Sequence, residues 1–130
     1  MKKNLSLLFV LILTLSVVLA ACGGGGGDST DSAGKDLFAQ TVIGSQPGCI
    51  TCHSLDAGVV IVGPSMAGIA SRAGSTVSGQ SAEDYLRESI LTPDAHLVES
   101  FPAGTMPQVW GQELSTTQVD QLIDYLMTLK

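Results

Sequence analysis

The chain has 130 residues, 6 basic and 12 acidic, and a formal net charge of −6. That length bounds it to one folded domain, and the acidic balance excludes nucleic acid as a natural partner, because a phosphate backbone is held by clustered Lys and Arg. The apolar fraction of 45% is inflated by one N-terminal run and says little about a core.

Lys2 and Lys3 precede an apolar run from Leu5 to Ala20 that leads into small residues, the pattern of an export signal. A run of that length also fits a short retained membrane anchor. "LAAC" at Leu19 to Cys22 resembles the lipobox of bacterial lipoproteins, in which cleavage precedes the Cys and its thiol receives a diacylglyceryl group. That resemblance makes residues 1–21 a signal peptide and Cys22 the site of lipid attachment, the alternative being a free or disulfide-bonded thiol. Two or more acyl chains anchor a protein stably, whereas one binds reversibly. Residues 22–33, the Cys and a run of Gly, Ser and Asp, read as a flexible tether that spans roughly 20 Å as a random coil. Without residues 1–21 four basic and twelve acidic residues remain, a net charge of −8 that suits docking to a basic patch or simple solubility.

The folded domain is expected over residues 34–130. "GKDLFAQTVIGS" from Gly34 reads as a short helix with Leu37 and Phe38 on one face and Val42 at the next turn, stopped near Gly44 and Pro47. "GCITCHS" follows at residues 48–54. Cys-X-X-Cys alone fits a dithiol pair, half of a zinc site or a haem attachment point; the His directly behind it selects the last. Cys49 and Cys52 would form thioethers to the two vinyl groups of one macrocycle. His53 would then lie under the iron as a neutral imidazole ligand. A zinc site would need about four ligands, and only Cys49, Cys52, His53 and the distant His96 are on offer.

Leu55 to Gly74 is rich in Gly and broken by Pro64, so it reads as loop with at most one short helix. "SAEDYLRESIL" from Ser81 has apolar residues at helical spacing and Glu83 and Asp84 in its first turn, with Pro93 ending it. Residues 94–112 read as a structured loop. The last segment starts with a capping-box pattern, Ser115 and Gln118, and places Val119, Leu122, Ile123 and Leu126 on one stripe. Nothing alternates like a paired sheet.

From Gly34 to Lys130 the chain resembles the class I, single-haem cytochromes c. The resemblance implies a compact all-α fold of roughly three to five short helices around one covalently attached haem c, with N- and C-terminal helices crossing. Gly34, Phe38, Leu122 and Tyr125 match the family's crossing point, where a residue without a side chain lets two backbones approach. Gly63, Pro64 and Arg72 match residues whose family roles are to accept a hydrogen bond from the iron-bound His, at the Pro carbonyl, and to reach a haem propionate with the Arg. "GTMPQ" at Gly104 to Gln108 resembles the loop that supplies a Met as sixth iron ligand, here Met106. Met66 stands where the family has an apolar core residue, and His96 would be an alternative axial imidazole. Trp110 packs on the haem edge, donates its indole N–H to a propionate, or is a plain core Trp. The short stretch between Arg72 and the Met loop matches the compact bacterial type.

These residues point to a membrane-anchored c-type cytochrome that carries single electrons through a His/Met-ligated haem and is not an enzyme. Its partners would be respiratory or photosynthetic redox proteins, such as a membrane oxidoreductase, a terminal oxidase or a periplasmic reductase. Its place would be on a cell-envelope membrane, facing the periplasm or the exterior. Two alternatives stand beside this: a fixed haem subunit of a larger complex, and a haem sensor or enzyme with an open sixth site.

Overall fold

A computed structural model describes residues 28–130; the apolar run expected to be a signal and Cys22 lie outside the described residues. The described chain is mostly helical. Helix α1 spans Asp28–Phe38, six residues longer at its start than the sequence boundary at Gly34 implies, so residues 28–33 are helical where flexible coil is expected. Ser, Thr and Asp favour helix N-termini, and an acid such as Asp31 in the first turn suits the helix dipole. The same composition also favours flexible coil, which is why the boundary is read too late from sequence.

Helix α1 stops at Phe38 and does not continue to Val42. Val42–Ile43 (β1) instead pairs antiparallel with Gln46–Pro47 (β2), Val42 opposite Pro47 and Ile43 opposite Gln46, around a turn at Gly44 with φ +57°. Ile43 is the residue that enters the core, and Val42 is exposed. A ladder of two rungs is too short for alternation to show in a sequence. Immediately behind it, Cys49–Cys52 forms the single turn α2, followed by a loop in which His53 bridges to Val60.

Helix α3 (Ile69–Thr76) buries Ile69 and Ala73. Helix α4 (Ala82–Leu91) starts at Ser81, whose side chain accepts the Asp84 N–H, and buries Tyr85, Leu86 and Ile90. It ends before Pro93, as a residue preceding Pro is pushed out of the helical region. The long loop that follows contains one short turn of helix, α5 (Trp110–Glu113). Helix α6 (Thr116–Thr128) opens on the expected capping box, with the Ser115 side chain accepting the Gln118 N–H and Gln118 accepting the Ser115 N–H. Ser115→Ala removes that cap and is expected to lower stability by about 1 kcal/mol, which thermal unfolding would read as a fall in midpoint of roughly 4–8 °C.

The core forms around α6, against which α1, α3 and α4 pack, with Leu122 its most enclosed large side chain. α1 crosses α6 at Gly34. A Cβ built there would lie 1.9 Å from the Gln121 carbonyl oxygen and 2.8 Å from the Tyr125 Cβ. The backbones therefore touch, and Phe38 and Tyr125 fill the side of the crossing with ring centroids 5.7 Å apart. The Ala70 N–H donates to the Leu129 carbonyl at 3.0 Å, which ties the end of α6 to α3. Arg87 and Asp120 bridge α4 to α6 at 2.6 Å, but both are well exposed and contribute little. Among the described residues no helix is long and apolar enough to cross a membrane.

Candidate functional site

The packed helices leave a largely apolar cavity of about 210 Å³. Every site residue named from the sequence, Cys22 excepted, lines it: Cys49, Cys52 and His53 from α2 and its end, Pro64 and Arg72 from the next loop and α3, Met106 and Trp110 from the long loop and α5. The chain thus brings together groups separated by more than fifty residues of sequence.

One turn of helix sets the two thiols at its start and end, and Gly48 begins that turn with its carbonyl held by the Thr51 hydroxyl at 2.6 Å. Both cysteines are partly buried, and neither forms a disulfide among the described residues. Burial pushes the Cys49 thiol up to about 11; its own backbone bond opposes this and the neighbouring Cys52 adds to it.

His53 is fixed on two sides. Its backbone N–H donates to the Cys49 carbonyl at 2.9 Å, and its Nδ1–H donates to the Pro64 carbonyl at 2.8 Å. With Nδ1 committed as donor, Nε2 is the nitrogen left with a lone pair. Burial lowers the imidazole pKa and the Pro64 bond partly opposes it, so the ring stays neutral at neutral pH, the form that ligates a metal.

Gly63 is a site residue for which sequence reasoning assigned no role. A Cβ there would stand 2.5 Å from His53 Cε1 and 2.9 Å from Nδ1, so no other residue type lets the imidazole lie against this loop without a shift. The Val62 and Gly63 N–H groups both donate to the Cys52 carbonyl, at 3.2 and 2.9 Å, which folds the loop back under α2. The signal lies in the Gly-Pro pair, whose proline alone carries a role in the sequence.

Arg72 does more locally than expected. Its guanidinium donates to the carbonyls of Ser65 (2.5 Å) and Ala67, holding the loop after Pro64, while no carboxylate pairs with it among the described residues. A guanidinium has five N–H donors. Donors and a full positive charge therefore remain at the cavity edge.

Met106 is partly buried and packs against the core. Met66 also lines the cavity, but it sits two residues after Pro64 on the loop that holds the imidazole, and its N–H is bonded to the Ser54 carbonyl at 2.8 Å. His96 lines the cavity as well, edge-on to Tyr85 with ring centres 5.9 Å apart.

Trp110 supplies the clearest sign of something to be held. It is only 4% exposed, lines the cavity, and its Nε1–H has no hydrogen-bond partner. A buried donor left unpaired costs about 1–3 kcal/mol. An apolar cavity, two thiols one helical turn apart, a neutral imidazole, a thioether on a separate loop and an orphan N–H that anionic oxygens would satisfy together fit a covalently attached haem. Among the described residues no three His, Cys, Asp or Glu side chains cluster as a metal site of their own.

Comparison with known proteins agrees. The family model described as cytochrome c matches residues 32–130. The chain is 34% identical over 88 residues to the cytochrome c2 iso-2 of Magnetospirillum molischianum, covering 63% of this chain and 91% of that protein. It is 33% identical over 87 residues to the cytochrome c2 iso-2 of Magnetospirillum fulvum, covering 62% and 91%. No solved structure gives a significant match. The chain belongs to the cytochrome c family, the single-haem proteins that transfer electrons through a covalently attached haem c.

Proposed function

We propose that this protein is a lipid-anchored carrier of single electrons whose haem is bonded to Cys49 and Cys52 and ligated by His53 and Met106. The observation that carries the reading is the convergence of these four side chains on one apolar cavity, with the His53 tautomer set by Pro64. Bound there, a haem supplies a one-electron ferric/ferrous couple.

The chain's own groups determine how that couple is used. His53 offers its Nε2 lone pair, and the carbonyl bond at Nδ1 raises its basicity and fixes the ring. Met106 offers a soft, neutral thioether that favours the ferrous state and raises the potential. With both positions filled by protein, no site is left for a substrate. Arg72 and Trp110 are assigned to the propionates, the first by charge and the second by its unpaired N–H. In the haem-loaded protein Trp110→Phe keeps the ring packing and removes the donor, so unfolding should become easier by about 1–3 kcal/mol. Equal stability of the variant and the parent would mean that the indole has no partner.

Export and anchoring rest on the apolar run and the lipobox-like "LAAC". Replacing Cys22 by Ser is expected to move the protein from the membrane fraction to the soluble fraction of the envelope; unchanged fractionation would count against lipidation. The electron partners are assigned to membrane oxidoreductases, terminal oxidases or periplasmic reductases.

Potentiometric titration tests the electron-carrier reading. A single transition with one electron per haem, and ferrous protein that takes up no carbon monoxide, is the expected result. Ready carbon monoxide binding would mean an open sixth position and a sensor or enzyme.

A second reading, a haem subunit held within a complex, is favoured by one observation. Val59, Val60, Ile61 and Val62 are all exposed on the loop that bridges to His53. A contiguous apolar run suits a lasting protein contact. Mild detergent extraction separates the two: a carrier runs alone, and a subunit keeps its partner.

A further inference from the structure

The loop between α4 and α5 has to present Met106 with little regular structure of its own. Most of its hydrogen bonds are local: Phe101 N–H to the Val98 carbonyl at 3.0 Å, Thr105 hydroxyl to the Pro102 carbonyl at 2.8 Å, and Gln108 Nε2 to the Met106 carbonyl at 3.0 Å. One contact is long. The Gly104 N–H lies 3.0 Å from Asp94 Oδ1 and 3.2 Å from Oδ2, so one carboxylate receives a donor ten residues further along.

Both ends of that contact are placed to matter. Asp94 follows Pro93, which is buried, and the turn there is closed by the Ala95 N–H on the Thr92 carbonyl at 2.8 Å. The carboxylate therefore extends from a fixed point at the end of α4. Gly104 has φ +74°, the left-handed region that favours glycine, and it is two residues before Met106. Leu97, Val98, Phe101 and Pro102, within the span it closes, all line the cavity.

We infer that Asp94 is a positioning residue for the Met106 sulfur: its carboxylate holds the Gly104 N–H, closes residues 94–104 into a ring, and so sets where the thioether stands. The inference rests on Met106 being an iron ligand. Asp94 acts through the backbone, two residues away from the ligand. An ionised acceptor makes a shorter and stronger bond to N–H than a neutral one. Its side chain is exposed, so truncating it opens no void among the packed helices, but it also lines the cavity, so loss of its charge has to be separated from loss of its hydrogen bond.

The test uses the mature haem protein and imidazole, which competes with a protein ligand for ferric iron. Asp94→Ala is expected to bind imidazole about tenfold more tightly than the parent and to lose part of the Met-to-iron charge-transfer band. Asp94→Asn keeps an oxygen that accepts the Gly104 N–H without the charge, and should stay within about threefold of the parent. Asp94→Ser, too short to reach, carries the same expectation as Ala if the Ala variant takes up no haem. Parent-like imidazole affinity in the truncated variants would overturn the inference, and so would an equal shift in Ala and Asn, which would assign the effect to charge. Met106→Ala in the same series separates the two levels. If it keeps the charge-transfer band, the ligand assignment fails and the inference with it; if it loses the band while Asp94→Ala behaves as the parent, only the positioning role is overturned.

Discussion

Met106→Ala is expected to abolish the Met-to-iron charge-transfer band and to lower the reduction potential by on the order of a few hundred millivolts, within the range of about 0.8 V that axial ligands command. The reason is electronic and local. A thioether is a weak, neutral donor that stabilises ferrous iron, and its loss leaves the position to water or to a harder donor that stabilises ferric iron. Met106 is only partly buried, so truncation costs the fold less than it costs the potential. Two other side chains in the cavity, Met66 and His96, make the result discriminating. If Met66 were the ligand, Met106→Ala would leave band and potential unchanged. If His96 were, the parent would show no such band.

Gly34→Ala is expected to destabilise the fold, and its sign is informative. Inside a helix this exchange ordinarily stabilises by about 1 kcal/mol, because Ala loses less backbone entropy. Here the new methyl would stand 1.9 Å from the Gln121 carbonyl oxygen and 2.6 Å from its carbon, both backbone atoms. α1 and α6 would have to separate, which disturbs the contact of Phe38 with Tyr125. A net loss of about 1–3 kcal/mol is expected, the usual cost of overpacking, and thermal unfolding would report a midpoint lower by roughly 5–20 °C. A stabilised Gly34→Ala protein would mean that the two helices do not touch here.

Much of this was legible in the chain, for physical reasons that differ by element. α6 announces itself because its capping residues and its apolar stripe are both local in sequence, and both are present as read. The Cys-X-X-Cys-His run needs only one turn of helix to place its groups, so spacing and geometry nearly coincide. Pro64 was readable for its carbonyl, but Gly63 was not, because its importance lies in a missing Cβ facing a ring ten residues earlier. The start of α1 was hidden by a composition that serves tether and helix alike, and the two-rung ladder around Gly44 by its brevity. Asp94 and Glu113 could not be read at all. Glu113 receives the Ser45 hydroxyl at 2.5 Å, and Asp94 the Gly104 N–H; each depends on a loop path that no local pattern encodes.

Near-infrared magnetic circular dichroism of the ferric mature protein, taken after acid-acetone extraction has shown the haem to be covalently held, is the most direct measurement of what the cavity holds. A low-spin spectrum with the Met-to-iron charge-transfer band at its His/Met position is the predicted result. A bis-histidine or high-spin spectrum, or haem that leaves with the solvent, would contradict attachment through Cys49 and Cys52 and ligation by His53 and Met106.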